Sequence, residues 1–224
     1  MISAVLFDLD GTVLDTATDM VAVAKRMQSE HGLTPSPYQK LRNTVSNGAR
    51  ALLSKAFDLP TSDPRMDALA ETYLRRYADE IYRDTAYFAG VEQVLRTLSN
   101  HDIKIGIVTN KPTGLTESLL QAMGIVDRFE VLVCGDTLPR AKPHADPIVH
   151  AMHQLAVTAT QTLYVGDSIR DMQAARAAGC GAVAVSWGYI EDDDDIKQWP
   201  ADFIIDQPQQ LLPLLTKAAR LVEA

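Results

Sequence analysis

Two aspartates one residue apart, Asp8 and Asp10, follow a short apolar run near the start of the sequence. The run Ala4–Phe7 is entirely apolar, as expected of a parallel strand that is buried on both faces. In open α/β sheets, ligands bind at the carboxyl ends of the strands, so the two acids are candidates for a nucleophile and its partner. Asp-x-Asp-Gly also occurs in plain turns and in calcium loops, but Val13 and Leu14 supply none of the further oxygen ligands that a calcium loop needs.

Three later segments repeat the pattern of an apolar run that ends abruptly in small or polar residues. They supply a hydroxyl, a cation and a second pair of acids. Each has a plain structural alternative, as a helix cap, a surface lysine before a proline turn or a solvated first helical turn. Because all of them occur in order at the ends of predicted strands, we predict a single site. The residues are Thr109 and Asn110 after Ile105–Val108, Lys142 soon after Val131–Cys134, and Asp167 with Asp171 after Leu163–Gly166.

In this order, the residues resemble the four motifs of the haloacid dehalogenase-like (HAD) hydrolase superfamily, and the match spans nearly the whole chain. Dehalogenases of that superfamily lack the second aspartate of the first motif. Its presence here as Asp10 is similar to the phosphatase and phosphomutase branches, so the resemblance implies phosphoryl transfer and excludes dehalogenation. The motifs stand here as Asp8-x-Asp10-Gly11-Thr12, Thr109, Lys142 and Gly166-Asp167-x-x-x-Asp171.

The resemblance implies a Mg²⁺-dependent phosphatase that hydrolyses the phosphate monoester of a small metabolite through an aspartyl-phosphate. Asp8 is then the nucleophile, and Asp10 is the general acid for the leaving oxygen and later the base that activates water. Mg²⁺ suits such a site because it takes oxygen ligands and shares the phosphate of the substrate. The implied metal ligands are the Asp8 carboxylate, the Asp10 main-chain carbonyl and Asp167, with Asp171 orienting them.

The phosphate group is expected to lie against Lys142 and Thr109. A lysine acts there as a compact point charge beside the nucleophile, and a threonine hydroxyl with neighbouring N–H groups binds the equatorial oxygens. Asn110 is a third candidate for substrate binding, and a helix cap explains it equally well.

From about residue 16 to residue 84, the apolar residues recur at helical spacing and we predict no strand. We interpret this region as a helical cap for substrate specificity, inserted into a catalytic α/β core of residues 1–15 and 85–224. The implied fold is a Rossmann-like, doubly wound parallel sheet with an inserted α-helical cap domain. A cap can close over the substrate and exclude water, which protects an aspartyl-phosphate from unselective hydrolysis.

One loop of the predicted cap, Val45–Arg50, is polar and contains a glycine. We predict that its Asn47 and Arg50 choose the substrate; the alternative is a capped helix start with Arg50 exposed. Arg50 suits a substrate carboxylate, which 2-phosphoglycolate and the lactyl group of N-acetylmuramic acid 6-phosphate both carry. The loop resembles those of the phosphatases for these two compounds, and the muramic sugar implies peptidoglycan recycling. The alternatives are a sugar phosphomutase, a pyrophosphatase and a non-catalytic binding protein of the same fold.

The composition fits a small enzyme. The chain has 224 residues, 46% of them hydrophobic, enough for one substantial core and a smaller second one. A net charge of −8 argues against nucleic acid or an anionic membrane as partner. No apolar stretch approaches the roughly 20 residues of a membrane span, and we expect neither a signal peptide nor a disulfide framework. We therefore expect a cytoplasmic monomer or homodimer that acts on a small phosphorylated metabolite.

Overall fold

A computed structural model describes residues 1–216 of the chain. Its strands are β1 (Ala4–Phe7), β2 (Leu14–Asp15), β3 (Ala86–Tyr87), β4 (Lys104–Val108), β5 (Val131–Val133), β6 (Thr162–Gly166), β7 (Gly181–Val185) and β8 (Phe203–Ile205). Its helices are α1 (Ala17–Glu30), α2 (Tyr38–Arg42), α3 (Gly48–Phe57), α4 (Met66–Asp79), α5 (Val91–Asn100), α6 (Thr113–Ala122), α7 (Asp146–Gln154) and α8 (Ile169–Ala178).

Six of the strands form one parallel sheet in the order β5-β4-β1-β6-β7-β8. Alternate residues of β1 point to opposite faces. Val5 and Phe7 belong to the apolar cluster that includes α5 and α6, whereas Ala4 and Leu6 belong to the cluster that includes α7 and α8. Both faces of the sheet are therefore covered, which explains why its strands are continuous apolar runs. The predicted α/β class with a doubly wound parallel sheet is confirmed.

The central strand β1 lies between β4 and β6, with Phe7 in register with Ile107 on one side and Val165 on the other. Along the chain, the sheet first grows from β1 towards β5 and then from β6 towards β8, so its order reverses beside β1. Such a reversal separates the connections that follow the two strands and opens a crevice at their carboxyl ends. The residues that follow β1, β4 and β6 meet at this crevice.

Residues 16–84, which we call the helical segment, contain α1–α4 and no strand. The chain enters and leaves this segment through a two-stranded antiparallel ribbon, in which Leu14 pairs with Tyr87 and Asp15 with Ala86. The helices pack around their own apolar cluster, in which Leu53 is fully buried. The predicted division into a core and a cap at these boundaries stays a prediction, and residues 217–224 of the predicted core lie outside the described residues.

The end of the helical segment is fixed by one buried acid of α1. The carboxylate of Asp19 accepts hydrogen bonds from the main-chain N–H groups of Arg83, Asp84 and Thr85 at 3.0–3.3 Å and from the Thr85 hydroxyl at 2.7 Å. These donors belong to the stretch that leads into β3. Asp19 therefore holds the returning chain against α1 and sets where the ribbon begins.

Two further expectations concern the whole chain. Both cysteines, Cys134 and Cys180, are buried and free, as the sequence predicted. Within residues 1–216, none of the helices combines the length and the apolar character needed to cross a membrane.

Candidate active site

The predicted site residues follow three neighbouring strands. Asp8 follows β1, Thr109 follows β4 and Asp167 follows β6. The parallel ladder continues one residue beyond two of these strands, because Asp8 N donates to Val165 O and Thr109 N donates to Val133 O, each at 2.9 Å. The backbone at the carboxyl edge is thus held by sheet hydrogen bonds, and the side chains start from fixed positions.

Three carboxylates meet at this edge, those of Asp8, Asp167 and Asp171. One oxygen of each lies within 4.8 Å of the others, and all three residues are buried. Burial raises the pKa of Asp8 to about 6, although the Lys142 ammonium opposes the shift. Burial also raises the pKa of Asp167 to about 7, and the charge of Asp8 adds to it. The site thus concentrates negative charge where water is scarce, and a bound cation would relieve it.

The carboxylate of Asp171 is fully occupied by protein donors. Its Oδ1 accepts from Lys142 Nζ at 2.7 Å and from the Tyr164 hydroxyl at 3.2 Å. Its Oδ2 accepts from the N–H and the hydroxyl of Ser168, which caps α8. With both oxygens engaged, Asp171 is suited to orient its neighbours and to add charge.

Asp8 differs, because its Oδ1 is buried and accepts no hydrogen bond from residues 1–216. Lys142 Nζ lies 2.9 Å from this oxygen, so the two groups form an ion pair. Asp167 accepts from the Thr12 hydroxyl on Oδ1, and from the Ser46 hydroxyl and Tyr189 N–H on Oδ2. Of the three acids, Asp8 therefore keeps the most room for a further ligand.

This donor set fits a divalent cation. Hard oxygen ligands are those that Mg²⁺ prefers, and the buried Asp8 Oδ1 lacks the hydrogen bond that such an atom ordinarily has. Glycines leave the space around Asp167, because a Cβ at Gly11 or at Gly188 would collide with its side chain. Gly11 also has a φ of +88°, which a residue with a side chain rarely adopts. Asp8 and Asp167 could hold the ion, with Asp171 behind them.

Lys142 lies within this group of acids. Its Nζ is 2.9 Å from Asp8 Oδ1 and 2.7 Å from Asp171 Oδ1, and it donates to the Tyr164 hydroxyl at 2.8 Å. Burial alone would lower the pKa of Lys142, but Asp171 and Asp8 outweigh burial and raise it. Lys142 is therefore charged and lies beside Asp8, and its contact with the phosphate stays a prediction.

Thr109 and Asn110 occupy different positions. The Thr109 side chain is buried at the edge, and its hydroxyl oxygen accepts from Lys111 N at 3.2 Å, which leaves its proton free to donate. Asn110 donates to Lys142 O at 3.0 Å and accepts from Lys142 N at 3.1 Å. In this structure its amide positions the Lys142 main chain, and its predicted contact with substrate stays a prediction.

The Asp10 carboxylate lies outside the group of three acids. Its Oδ1 accepts from the Thr16 hydroxyl at 2.6 Å, and Lys111 Nζ lies 3.1 Å and 3.3 Å from its two oxygens. Sequence reasoning gave Lys111 no role. Its place two residues after Thr109, at the same strand end, was the signal that could have identified it.

The predicted substrate loop contacts the site through Ser46 and Asn47. Ser46 donates to Asp167 Oδ2 at 3.0 Å, which ties the helical segment to a candidate metal ligand. Asn47 is held from both sides, since it accepts from Arg170 at 2.8 Å and donates to Glu191 at 2.6 Å. Arg170 also donates to Ser46 O at 2.6 Å. The predicted loop therefore lies at the edge of the site.

Arg50 does not reach the site, contrary to our expectation. It pairs with Asp67 at 2.5 Å and donates to Thr61 O at 3.1 Å, both within the helical segment. Because Arg50 lies beyond the start of α3, its side chain extends along the exposed surface of the helices. Two arginines that sequence reasoning missed contact residues around the site: Arg170, which lies between two motif aspartates, and Arg42, which donates to Gly188 O at 3.0 Å.

Comparison with known proteins agrees with this geometry. Residues 5–185 match the family described as haloacid dehalogenase-like hydrolase. The chain is 38% identical over 217 residues to the N-acetylmuramic acid 6-phosphate phosphatase of Pseudomonas aeruginosa, covering 97% of this chain and 96% of that protein. It is 46% identical over 208 residues to a phosphoglycolate phosphatase of Xanthomonas campestris pv. campestris, covering 93% of this chain and 94% of that protein.

A solved structure from Haemophilus somnus, described as a predicted phosphoglycolate phosphatase, has a similar fold. It superposes with a TM-score of 0.83 at 25% identity and covers 95% of this chain and 97% of that one. The family match covers most of the chain, and the relatives align over nearly their full length. The chain therefore belongs to the haloacid dehalogenase-like hydrolase family.

Proposed function

We propose that this hydrolase is a Mg²⁺-dependent phosphatase that cleaves the phosphate monoester of a small metabolite through an aspartyl-phosphate. One observation carries the proposal: the buried Asp8 lies beside the Lys142 ammonium and two further carboxylates, and its Oδ1 accepts no hydrogen bond from residues 1–216. The names of the two relatives, both phosphatases of small phosphorylated metabolites, support the same reaction class of phosphoric monoester hydrolysis.

In the first step, a carboxylate oxygen of Asp8 attacks the phosphorus atom, and the bond from phosphorus to the ester oxygen breaks. The leaving oxygen takes a proton from Asp10, so an alcohol departs and the phosphoryl group remains on Asp8. Lys142 and the Thr109 hydroxyl stabilise the charge on the phosphoryl oxygens, where fixed donors are worth most. Mg²⁺, when bound, supplies the positive charge that lets an anionic nucleophile approach an anionic phosphate.

In the second step, a water molecule attacks the phosphorus of the aspartyl-phosphate. Asp10 takes a proton from that water as the new bond to phosphorus forms, and the bond to the Asp8 oxygen breaks. Inorganic phosphate leaves, and both aspartates return to their starting states. Each acid thus serves twice, and the net reaction converts the phosphate monoester and water into an alcohol and inorganic phosphate.

We further propose that the helical segment acts as a cap over the site. Its connection through the narrow ribbon β2–β3 supports this, as do the contacts of Ser46 with Asp167 and of Tyr77 with Lys111. A cap in this position would exclude bulk water while the aspartyl-phosphate exists.

The proposed substrate is N-acetylmuramic acid 6-phosphate or 2-phosphoglycolate, the compounds that the relatives' names specify. Both join a phosphate monoester to a carboxylate, so the site needs a cation beyond Lys142. Arg170 and Arg42 are candidates, because their hydrogen bonds are to amide or main-chain oxygens and no carboxylate of residues 1–216 forms a salt bridge with them. Action on the muramic sugar would place the enzyme in peptidoglycan recycling, and a cytoplasmic location stays our prediction.

The test is phosphate release with Mg²⁺ from a panel that contains both compounds, a hexose phosphate and pyrophosphate, compared by kcat/KM. We expect one of the two carboxylate-bearing monoesters to be preferred, and activity to vanish with a chelator and in Asp8→Asn. Asp79→Asn, an exposed acid at the end of α4, is the matched control and should keep full activity. Hydrolysis that persists in Asp8→Asn would refute the covalent mechanism, and dependence on a sugar bisphosphate with little net phosphate would indicate a mutase.

A further inference from the structure

The lysine that follows Thr109 by two residues has an unusual position. Lys111 is 7% exposed, and its ammonium is aimed inward at the Asp10 carboxylate. Its Nζ lies 3.1 Å from Asp10 Oδ1 and 3.3 Å from Oδ2, so it faces both oxygens. A lysine is rarely this buried unless a partner offsets the loss of water, so the pair indicates a specific role for this side chain.

The ammonium is also anchored from the helical segment. Lys111 Nζ donates to the hydroxyl of Tyr77 at 3.1 Å and lies 4.7 Å from the centre of the Tyr77 ring. Tyr77 belongs to α4 and is 1% exposed, so its ring is fixed by the apolar packing of the helices. One lysine of the core thus contacts both the acid of the first motif and a residue of the helical segment.

Charge makes this contact relevant to proton transfer. Lys111 Nζ lies within 3.3 Å of both Asp10 oxygens and donates to the Tyr77 hydroxyl, so the ion pair and this hydrogen bond offset the burial of the ammonium. An ammonium contact with a carboxyl group is strongest when that group is ionised, the state that Asp10 reaches as it gives its proton to the leaving oxygen. A fixed cation there stabilises charge that develops during the reaction, and it needs no rearrangement to do so.

We propose that Lys111 is a positioning residue for the general acid–base step: it fixes Asp10 and stabilises its carboxylate, and Tyr77 holds Lys111 in place. The inference rests on the proposed function, because it assumes that Asp10 donates the proton in phosphoryl transfer. In that step the bond from phosphorus to the ester oxygen breaks, the Asp8 oxygen bonds to phosphorus, and the Asp10 proton moves to the departing oxygen. In this role Lys111 acts through Asp10 and not through a contact with the substrate.

A leaving-group comparison separates this role from a purely structural one. An alkyl phosphate needs a proton on its departing oxygen, whereas p-nitrophenolate leaves without one. We expect Lys111→Met to lower kcat/KM for the preferred alkyl phosphate by about 10–100-fold, less than the roughly 10²–10⁴-fold that general acid catalysis contributes, because Asp10 itself remains. For p-nitrophenyl phosphate, we expect kcat/KM to fall by less than about threefold, because its leaving group needs no proton from Asp10. Asp10→Asn should show the same dependence more strongly, and adding Lys111→Met to it should cost little more.

The matched control is Lys104→Met, at the start of β4, the strand that precedes Lys111. Lys104 is half-buried and donates to Leu155 O at 2.6 Å, so its loss tests the removal of a packed lysine from the core. For Lys104→Met, we expect kcat/KM for the alkyl phosphate and for p-nitrophenyl phosphate to equal those of the unaltered enzyme. If Lys111→Met fails to fold, Tyr77→Phe decides the matter, because it removes only the hydroxyl that anchors Lys111 and should give a smaller loss with the same leaving-group dependence.

An equal loss of kcat/KM for both substrates, or no loss for either, would overturn the inference while leaving the phosphatase intact. A raised KM with unchanged kcat would also overturn it, because that result would mean that Lys111 binds substrate directly. Failure of the unaltered enzyme to hydrolyse either monoester would instead refute the proposed function, and this inference with it.

Discussion

At the scale of the residue, the site is defined by how each buried charge is compensated. Asp171 has protein donors on both oxygens, whereas Asp8 Oδ1 lies beside Lys142 Nζ and accepts no hydrogen bond from residues 1–216. Asp10 is compensated separately by Lys111. The acids therefore differ in what they are free to do, although their residue type is the same: Asp171 is committed to orientation and Asp8 to a ligand.

The raised pKa values of Asp8 and Asp167 make the metal-free protein sensitive to pH. The usual pKa of an aspartate is 3.8, and the pKa in the folded state is about 6 for Asp8 and about 7 for Asp167. At pH values between the usual and the raised pKa, the folded state therefore binds more protons than the unfolded chain. Their contribution to the free energy of unfolding is therefore complete below the usual value and is lost as pH rises through the folded values. Mg²⁺ binding needs both groups ionised, so the affinity for Mg²⁺ should fall as pH drops through the same window.

We expect this contribution to appear in the difference between the unaltered protein and Asp167→Asn, measured by urea unfolding in the presence of a chelator. Asparagine stays neutral, so the unaltered protein should lose stability relative to the variant as pH rises from about 4 to about 7. A relative gain in stability over that range would contradict the raised pKa. The direct measurement of Mg²⁺ affinity by calorimetry across the same pH range is an independent check.

At the scale of the element, the ribbon β2–β3 and helix α1 decide where the helical segment joins the sheet. The ribbon has only two paired positions, which is too little to be stable by itself. Asp19 adds what the ribbon lacks, because its carboxylate binds three successive N–H groups of the returning chain. A side chain on a helix therefore takes the place of further ladder hydrogen bonds.

We predict that Asp19→Asn destabilises the protein by about 1.5–3 kcal/mol, because an amide offers one acceptor oxygen where the carboxylate offers two and leaves buried N–H groups poorly satisfied. Urea unfolding measures the change, and hydrogen exchange at Arg83, Asp84 and Thr85 should become faster. Asp79→Asn is the control, because the Asp79 side chain is exposed and makes no hydrogen bond in the described part of the chain. Equal stability of Asp19→Asn and the unaltered protein would show that the ribbon holds without this anchor.

At the scale of the whole molecule, the helical segment and the sheet meet directly at the site. Arg170 of α8 donates to Ser46 O and Asn47 Oδ1, and Ser46 donates to Asp167. On the other side of the site, Tyr77 contacts Lys111. The segment therefore touches both a candidate metal ligand and the lysine that pairs with Asp10, so we expect its position to affect binding and chemistry together.

We predict that Arg170→Ala raises KM for the preferred substrate about tenfold, equivalent to about 1.4 kcal/mol, because the loop with Ser46 and Asn47 loses its hold on α8. Arg50→Ala should change KM less, about twofold or under, since Arg50 pairs with Asp67 away from the carboxylates. Steady-state kinetics of the two variants shows which of the two arginines affects KM for the substrate. A larger rise in KM for Arg50→Ala would restore the interpretation that the sequence alone suggested. Arg96→Ala, on the exposed side of α5, serves as control.

The sequence by itself determined the sheet and the acids at its edge. Runs such as Ala4–Phe7 and Leu163–Gly166 are apolar throughout, and this local property is sufficient to predict buried parallel strands. Once the strands are predicted, the positions of Asp8 and Asp167 after their ends follow from the geometry of a parallel sheet. No knowledge of distant contacts was required for these inferences.

Only the tertiary structure decided which partner each charged side chain has. Lys111 meets Asp10, 101 positions away, and Ser46 meets Asp167, 121 positions away. Arg50, which its polar loop and the resemblance of that loop made a candidate for substrate binding, pairs with Asp67 instead. Partners of this kind depend on how the helical segment packs against the sheet, and packing is a property of surfaces assembled from the whole chain rather than of any local run of residues.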